Sequence, residues 1–331
     1  MTAYIMRRLI YGAMVLVAVN VLLFLLFFVV NPPEIMAEQH LSEKHATPEN
    51  IQRWLEEHGY DLPRFHNSDY KFPESFTQTL FWQKMMYLFV FDFGISDATQ
   101  NNIADEMIER IPPSLSITIP SFLLGLAIAI AVSMIVAFYR GSPIDSTVLV
   151  ICVILMSISG MIYVVLFQYF FSTILRLAPA SGFARSFPDM LRFISIPIAV
   201  SVVAGLGGSI RYYRTVFLEE TNKDYIRTAR AKGLGEGKVL FKHALRNALL
   251  PILTNAVVQL PFLIMGSLLV ERFFGIPGLG SYLIDAIARQ DFAVIRAMVF
   301  LGTFLYIISL IMVDISYCIA DPRIRIGGTE Q

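Results

Sequence analysis

The stretch of this sequence that most resembles a chemical motif is a glycine-rich run, Gly233-Leu234-Gly235-Glu236-Gly237-Lys238. A phosphate-binding loop also needs a glycine at the position occupied by Lys232, and a Ser or Thr at the position occupied by Val239. Because both tests fail, we expect no nucleotide site in this chain. No other motif predicts a catalytic residue, a metal site or a bound cofactor.

The same glycines lie in a basic loop, residues 211–246, in which nine Lys and Arg residues meet only four acids. The sequence predicts a short helix there, a break at Gly233 and a second helix leading into an apolar run. Ala229 and Ala231 permit close approach of another surface, and Gly233 permits a backbone turn closed to other residues. The residue types alone leave two interpretations open, contact with anionic lipid headgroups and docking of a partner protein.

The composition of the chain predicts the helices that position this loop. Hydrophobic residues make up 56% of the 331-residue chain and charged residues 16%, whereas soluble domains carry roughly 25% charged residues. Apolar runs long enough for the roughly 20 residues of a membrane-spanning helix occur at 9–30, 114–139, 147–171, 193–210, 248–270 and 297–320. Helices satisfy their own backbone in lipid, so the predicted fold class is an all-α polytopic membrane protein with six transmembrane helices.

The first apolar run is too long for a signal peptide. It extends from Leu9 to Val30, 22 residues, whereas the apolar region of a signal peptide covers about 7–15 residues and ends in a cleavage site of small residues. We therefore expect a retained first helix.

The distribution of basic residues predicts the orientation. Placing both termini in the cytoplasm puts fourteen Lys and Arg residues inside and six in the two short outer loops, as the positive-inside rule favours. The predicted location is the bacterial inner membrane, and the formal net charge of zero gives no indication of a nucleic-acid partner.

This topology divides the chain into a first helix (1–30), an extracytoplasmic insert (31–113), a five-helix core with the loop 211–246 (114–320) and a cytoplasmic tail (321–331). Within the insert, Thr47-Pro48-Glu49 predicts the start of a helix that ends near Gly59. Residues 74–91 are rich in aromatic residues and Met, which predicts an amphipathic helix on the bilayer or against the bundle.

Several motifs then resemble one family. The run from Tyr225 to Leu234 resembles the coupling loop of permeases in the oligopeptide, dipeptide and nickel family of ABC importers. Four further segments resemble that family in order and spacing, and they are Arg7-Arg8-Leu9, Asp92-Phe93-Gly94, Glu271 to Gly280, and Asp314 with Asp321-Pro322-Arg323-Ile324-Arg325.

The resemblance implies a non-catalytic permease with the fold of a type I ABC importer transmembrane domain. It implies a second homologous permease subunit, two cytoplasmic ATPase subunits that bind ATP and Mg²⁺, and an extracytoplasmic substrate-binding protein. Peptides are the commonest substrates of such permeases, with nickel, opines, sugars and antimicrobial peptides as others. The residues that it places at or near the ATPase contact are Thr228, Ala229, Arg230, Ala231, Gly233 and Leu234.

Polar residues inside the spans have two possible roles, hydrogen bonding between helices and lining a translocation path. The candidates are Gln168, Asn255, Gln259 and Asp314. One alternative function is a proton-coupled secondary transporter that uses Asp314 as its relay, and another is a membrane scaffold or receptor subunit. An autonomous carrier would transport without any ATPase, and a scaffold would transport nothing.

Overall fold

The computed structural model describes residues 2–41 and 46–320, with side chains for 6–41 and 46–316. Apart from a single antiparallel bridge between Ile95 and Asn102, the regular secondary structure of these residues is helical, and turns and irregular segments connect the helices. The predicted tail, 321–331, with its Asp321 to Arg325 motif, lies outside the described residues. The α-helices are α1 (Thr2–Phe24), α2 (Pro33–His40), α3 (Pro48–His58), α4 (Glu74–Thr77), α5 (Ile103–Phe138), α6 (Pro143–Ser157), α7 (Gly160–Phe167), α8 (Asp189–Thr221), α9 (Asp224–Ala231), α10 (Glu236–Lys238), α11 (Leu245–Val258), α12 (Leu260–Met265), α13 (Leu268–Phe274), α14 (Leu279–Ala288) and α15 (Phe292–Ala320). Wider π-helical turns cover Leu25–Val30, Trp82–Met86, Gln168–Ile174 and Val239–Ala244, and a 3-10 turn covers Tyr87–Val90.

Five helical segments of the described chain are long and apolar enough to cross a membrane, and a bent pair of helices brings the number to six if the pair counts as one span. This confirms the predicted all-α polytopic fold. The third predicted span, 147–171, differs from a single helix because α6 and α7 meet at 93°. The bend arises because Ile158 and Ser159 adopt extended backbone conformations between the two helices.

The predicted loop 211–246 is shorter in the structure, because α8 continues as a helix to Thr221. At 33 residues, α8 exceeds the roughly 20 residues that a bilayer core requires. Its last turns remain helical since Tyr213, Val216 and Phe217 are buried in a hydrophobic cluster with helices α5, α9 and α11.

One compact unit comprises residues 1–110 and 282–307. Its core joins α1 and the insert, with Phe24, Phe28 and Met36 fully buried. The predicted cap of α3 is confirmed, because Thr47 Oγ1 accepts a hydrogen bond from the Asn50 amide at 3.4 Å and Gly59 ends the helix in a left-handed conformation.

Residues 74–91 of this unit differ from the prediction of one amphipathic helix. They form short helical turns, α4 and the segment 82–90. Leu80, Met85 and Leu88 are buried in the same cluster as α1. The segment therefore packs into the core of its unit as a series of short helical turns.

The second compact unit comprises residues 111–281 and 308–331. Among its described residues, one hydrophobic cluster surrounds Phe217 and Ile226 and another surrounds Val200 and Phe274. An ion pair that is largely buried fixes the start of α6 to α8, since Arg214 Nε and Nη2 each donate to the Asp145 carboxylate at 2.7 Å.

Candidate functional site

The first candidate site is α9, which has one packed face and one open face. Ile226 and Ala229 are buried in the cluster beneath the helix. On the opposite side the exposed residues are Asp224, Arg227, Thr228 and Ala231. Positions three and four apart lie on the same face of a helix. The exposed set therefore forms one continuous surface that a partner can contact, which we call the α9 face.

The entry to α9 is fixed by Glu220 at the end of α8. Its buried carboxylate accepts hydrogen bonds from the Tyr225 hydroxyl and from Lys223 Nζ, the latter at 2.6 Å. Burial and the hydrogen bond to Glu220 raise the pKa of Tyr225 to about 12. Tyr225 is consequently a neutral donor at physiological pH, and the bond ties α9 to α8.

The exit from α9 is a tight turn at Gly233. Gly233 has φ of +75°, a conformation in which its amide donates to the Arg230 carbonyl at 2.9 Å. A two-point ion pair spans the turn, with Arg230 Nε 2.7 Å and Nη2 3.1 Å from the two Glu236 oxygens. The turn and the ion pair together set the direction in which the chain re-enters the bundle.

The structure separates the predicted ATPase-contact residues into two groups. Thr228 and Ala231 lie on the α9 face, and Arg230 and Gly233 are exposed at the turn. Ala229 is buried and Leu234 packs against the same cluster. Ala229 and the partly buried Leu234 support the helix from below and are not part of the α9 face.

The second candidate site is a cavity of about 210 Å³ among the membrane-spanning helices of the second unit, which we call the polar cavity because hydroxyl and amide groups stand among its apolar lining residues. Thr118, Ser121, Ser201, Ser209 and Ser267 place hydroxyl groups in its wall. The described residues that line it include amide, hydroxyl, aromatic and aliphatic side chains but no Asp, Glu, Lys or Arg. Polar groups in lipid-buried segments face the protein interior or a water-filled path.

Two of the predicted path residues, Asn255 and Gln259, contact each other, and Gln259 is the one of the two that lines this cavity. Gln259 lines it, and its Nε2 donates to Asn255 Oδ1 at 2.9 Å. The Tyr213 hydroxyl, also in the cavity wall, donates to the same Asn255 oxygen at 3.2 Å. The three side chains form a connected polar network between α8 and α11.

The other two predicted path residues lie elsewhere. Gln168 Nε2 donates to the carbonyls of Ala180 and Phe273, at 2.9 and 3.1 Å. Asp314 is half-buried on α15 and is not among the residues that line the cavity. The contacts of Gln168 indicate a role in holding a backbone segment in place.

The backbone around the Glu271 to Gly280 motif is held in place by the side chain of Glu271. Glu271 is fully buried, and its two oxygens accept the amides of Ser267 at 3.0 Å and Ser281 at 3.1 Å. A Cβ at Gly278 would lie 2.3 Å from Glu271 Oε2. Glycine is therefore required there for steric reasons. The hydrogen bonds and close packing around Glu271 give this motif a structural role within its unit.

Tyr213, Glu220 and the Asp145–Arg214 pair are site or support residues that the sequence did not predict. Tyr213 and the Asp145–Arg214 pair make contacts with residues distant in the chain, and Glu220 accepts hydrogen bonds from the nearby Lys223 and Tyr225. A tyrosine and an acid within or beside an apolar run were the only available signals. Among the described residues no group of three or more His, Cys, Asp or Glu is arranged to hold a metal ion.

Comparison with known proteins supplies the family. Residues 129–326 match the family of binding-protein-dependent transport system inner membrane components, and residues 1–118 match the model of its N-terminal region. The chain is similar to a candidate peptide transport system permease protein of Brucella abortus (strain 2308), with 33% identity over 98% of this chain and 99% of the relative. It is also similar to the oligopeptide transport system permease protein AppB of Bacillus subtilis (strain 168), at 31% identity over 98% and 100% of the two chains. A third relative is the glutathione transport system permease protein GsiC of Escherichia coli (strain K12), at 30% identity over 98% and 99%.

These relatives are subunits of transport systems that depend on a binding protein, so the alternative of a proton-coupled carrier acting through Asp314 is not supported. ATP hydrolysis in such systems is carried out by separate subunits. The chain belongs to the family of binding-protein-dependent transport system inner membrane components and is the non-catalytic, multi-pass permease subunit of an ABC importer.

Proposed function

We propose that this permease docks its ATPase through the α9 face and imports peptides. The observation that carries the docking proposal is the exposed surface of Asp224, Arg227, Thr228 and Ala231 on a helix whose opposite side is buried. Because Glu220 holds the start of α9 and the Arg230–Glu236 pair spans the turn that follows it, a force applied to the helix is transmitted to α8 and α11. That is the mechanical coupling that nucleotide-driven closure of the ATPases requires.

The proposed assembly contains a second homologous permease subunit, two cytoplasmic ATPase subunits and an extracytoplasmic substrate-binding protein. ATP and Mg²⁺ are bound by the ATPase subunits. In this arrangement the α9 face lies in the cytoplasm, together with both termini. The basic residues of the loop 211–246 support this orientation under the positive-inside rule.

The residues that line the polar cavity are one argument for a peptide substrate. The described residues of its wall offer hydroxyl and amide groups beside apolar side chains, and none of them is charged. Such a wall suits a path for peptides whose side chains differ in charge. The three relatives are named for transport of peptides, oligopeptides and glutathione. We assign the Tyr213–Asn255–Gln259 network to the wall of the translocation path.

The docking proposal is tested by Ala231→Trp, which adds a bulky side chain at the C-terminal end of the α9 face. The variant is expressed with the neighbouring genes and purified through a tag on this chain. We expect loss of the ATPase subunits from the purified complex and loss of substrate-stimulated ATP hydrolysis.

Ala98→Trp is the matched control, because Ala98 is also exposed but lies in the insert. This control must retain both the ATPase subunits and their activity. Full ATPase association and coupled hydrolysis in the Ala231→Trp complex would overturn the docking proposal.

A further inference from the structure

A second cavity lies wholly within the first unit, and none of its lining residues belongs to α9 or to the polar cavity described above. Its volume is about 140 Å³. The residues that line it are Gln83, Lys84, Tyr87, Leu88, Asp92, Phe93, Gly94, Ala293 and Arg296. Tyr87, Asp92 and Gly94 are exposed, whereas Leu88 and Arg296 are buried. The cavity therefore has a solvent-exposed rim and a floor that carries a cation.

Arg296 at the floor is short of hydrogen-bond acceptors. The residue is only 4% exposed, and neither Nε nor Nη1 has a hydrogen-bond partner among the described residues. Nη2 donates to the Tyr60 hydroxyl at 3.4 Å, and the guanidinium carbon lies 4.9 Å from the centroid of the Phe28 ring. Buried charges and buried donors need partners, so these contacts leave capacity for an anion.

The two acids near Arg296 are already occupied. Both carboxylate oxygens of Asp97 accept from the Tyr60 hydroxyl at 2.9 Å, and one also accepts the Ala293 amide at 3.2 Å. Asp291 accepts from the Ser96 hydroxyl and from the Asp97 amide, the latter at 3.2 Å. The hydrogen bonds of the Tyr60 hydroxyl link Asp97 to Arg296, and no direct hydrogen bond joins the two side chains among the described residues.

Lys84 brings a second cation to the cavity. Its Nζ donates to the His58 carbonyl at 2.7 Å and lies 4.5 Å from the centroid of the Tyr60 ring. Burial and, next, repulsion by Arg296 lower the pKa of Lys84 to about 8. At neutral pH two cations therefore line the same small cavity.

Asp92 is the acid in the cavity wall, so Lys84, Arg296 and Asp92 together give a charge of +1. Phe93, Leu88 and Ala293 add apolar surface beside these charges. The volume far exceeds the roughly 10–15 Å³ that one water occupies by the same kind of measure, yet it is too small for a peptide. We propose that this cavity binds a monovalent carboxylate with a short aliphatic or amino-acid-sized body.

The chemistry of the site supports a carboxylate over an inorganic anion. Guanidinium and ammonium groups form strong, charge-assisted hydrogen bonds to carboxylate oxygens. The apolar wall favours an anion that carries carbon atoms over chloride, which gains nothing from such contact. This proposal does not depend on the peptide substrate or on the α9 face.

The test uses the purified complex and titrates sodium propionate at constant ionic strength while thermal unfolding of this chain is followed. Sodium chloride and sodium sulfate are the comparison salts. We expect the unfolding midpoint to rise in a saturable way with propionate at pH 7. Lys84→Gln should raise the half-saturating concentration by roughly tenfold, as expected for loss of one hydrogen bond to a charged group. The matched control Lys71→Gln lies on the exposed surface of the same insert and should leave it unchanged.

Two further measurements give effects that a purely structural role would not produce. Asp92→Asn removes the opposing charge while its side-chain oxygen can still accept the Gly94 amide, so propionate should bind more tightly. Raising the pH from 7 to 9 should weaken binding to the wild-type complex, because Lys84 loses its proton, but not to Lys84→Gln. The ionisable groups around Lys84 are Arg296, Asp97, Asp61, Asp92, Tyr60, Tyr87 and His58.

Stabilisation of equal size in wild type and Lys84→Gln, or no response to propionate, would overturn the proposal. So would weaker binding in Asp92→Asn. An equal effect of chloride would show a general anion site and would contradict the carboxylate assignment. Each of these outcomes is independent of ATPase docking, which is read from the composition of the complex.

Discussion

Arg230 and Glu236 form a two-point ion pair across the turn at Gly233, with contacts of 2.7 and 3.1 Å. Arg230 lies at the end of α9 and Glu236 at the start of the helical segment that leads to α11. The pair thus joins the helix with the exposed face to the membrane-spanning segment behind it. The pair fixes the geometry of the turn and contributes little to stability, because both side chains are nearly half exposed and solvent-exposed ion pairs are weak.

Glu236→Gln should therefore uncouple the complex without unfolding it. We expect a stability loss of at most about 1 kcal/mol but a clear fall in substrate-stimulated ATP hydrolysis, since α9 is no longer fixed to the next helix. Glu219→Gln is the matched control, an exposed acid on α8. A Glu236→Gln complex with normal stimulated hydrolysis would show that the pair plays no part in coupling.

Gly233→Ala and Gly237→Ala should have opposite effects. Gly233 has φ of +75°, while Gly237 lies in α10 outside the positive-φ region. The left-handed conformation costs a non-glycine residue roughly 1–2 kcal/mol, whereas Gly→Ala in a helix gains about 0.5–1 kcal/mol. Thermal unfolding of the two purified variants measures the difference. Equal midpoints would mean that the turn at Gly233 is not formed as described.

Asp145→Asn should destabilise the second unit strongly. The Asp145 and Arg214 side chains are only 7% and 17% exposed, and removing one partner of a buried ion pair costs about 3–5 kcal/mol. The double variant Asp145→Leu with Arg214→Met leaves no unpaired charge. It should therefore be less destabilised than the sum of the losses in the single variants Asp145→Leu and Arg214→Met. Additive losses in a chemical unfolding experiment would contradict a direct pair.

Gln259→Leu and Gln168→Leu make the same chemical change at two polar positions in apolar segments. Gln259 lines the polar cavity, so its replacement should slow peptide uptake in proteoliposomes while the unfolding midpoint changes little. Gln168 holds two backbone carbonyls, so its replacement should lower the midpoint. Tyr213→Phe, which removes the other donor to Asn255, should resemble Gln259→Leu. An unchanged uptake rate in both cavity variants would remove this network from the path.

The stability of the first unit should rise with pH above about 8. The pKa of Lys84 is lowered to about 8 in the folded chain and returns to about 10.4 on unfolding. Between these values the unfolded chain binds more protons than the folded one, which makes unfolding less favourable as pH rises. The contribution of Lys84 to this rise is measured by comparing the unfolding midpoints of wild type and Lys84→Met at pH 7 and pH 9.5. The prediction would be contradicted if, between these two pH values, the wild-type midpoint rose no more than the midpoint of Lys84→Met.

Local features of this fold were predictable from sequence because their causes are local. Thr47 caps α3 through a residue three positions away, and Gly233 turns the chain by its own backbone freedom. Apolar run length gave the spans for the same reason. The bend between α6 and α7 was not predicted, since no proline interrupts the run and the break depends on two extended residues, Ile158 and Ser159.

The sites were only partly predictable because their contacts join distant residues. Tyr213 and Asn255 are 42 positions apart, and Asp145 and Arg214 are 69 apart. Neither pair leaves a periodic signal in the sequence. The positive-inside rule treats Arg296 only as one of the outer positive charges. A guanidinium close to the start of an apolar helix is the sequence signal for the cavity that it lines.

The central claim is that the α9 face contacts the ATPase, and thiol cross-linking measures that contact directly. Cys152 and Cys318 are first replaced by alanine, and a single cysteine is introduced as Thr228→Cys or, as the control, Ala98→Cys. A short bifunctional reagent is then added to the assembled complex. We predict a cross-linked product of this chain with the ATPase subunit from Thr228→Cys and none from Ala98→Cys. An intact complex that gives no such product from Thr228→Cys, while the thiol is shown to be reactive, would contradict the account.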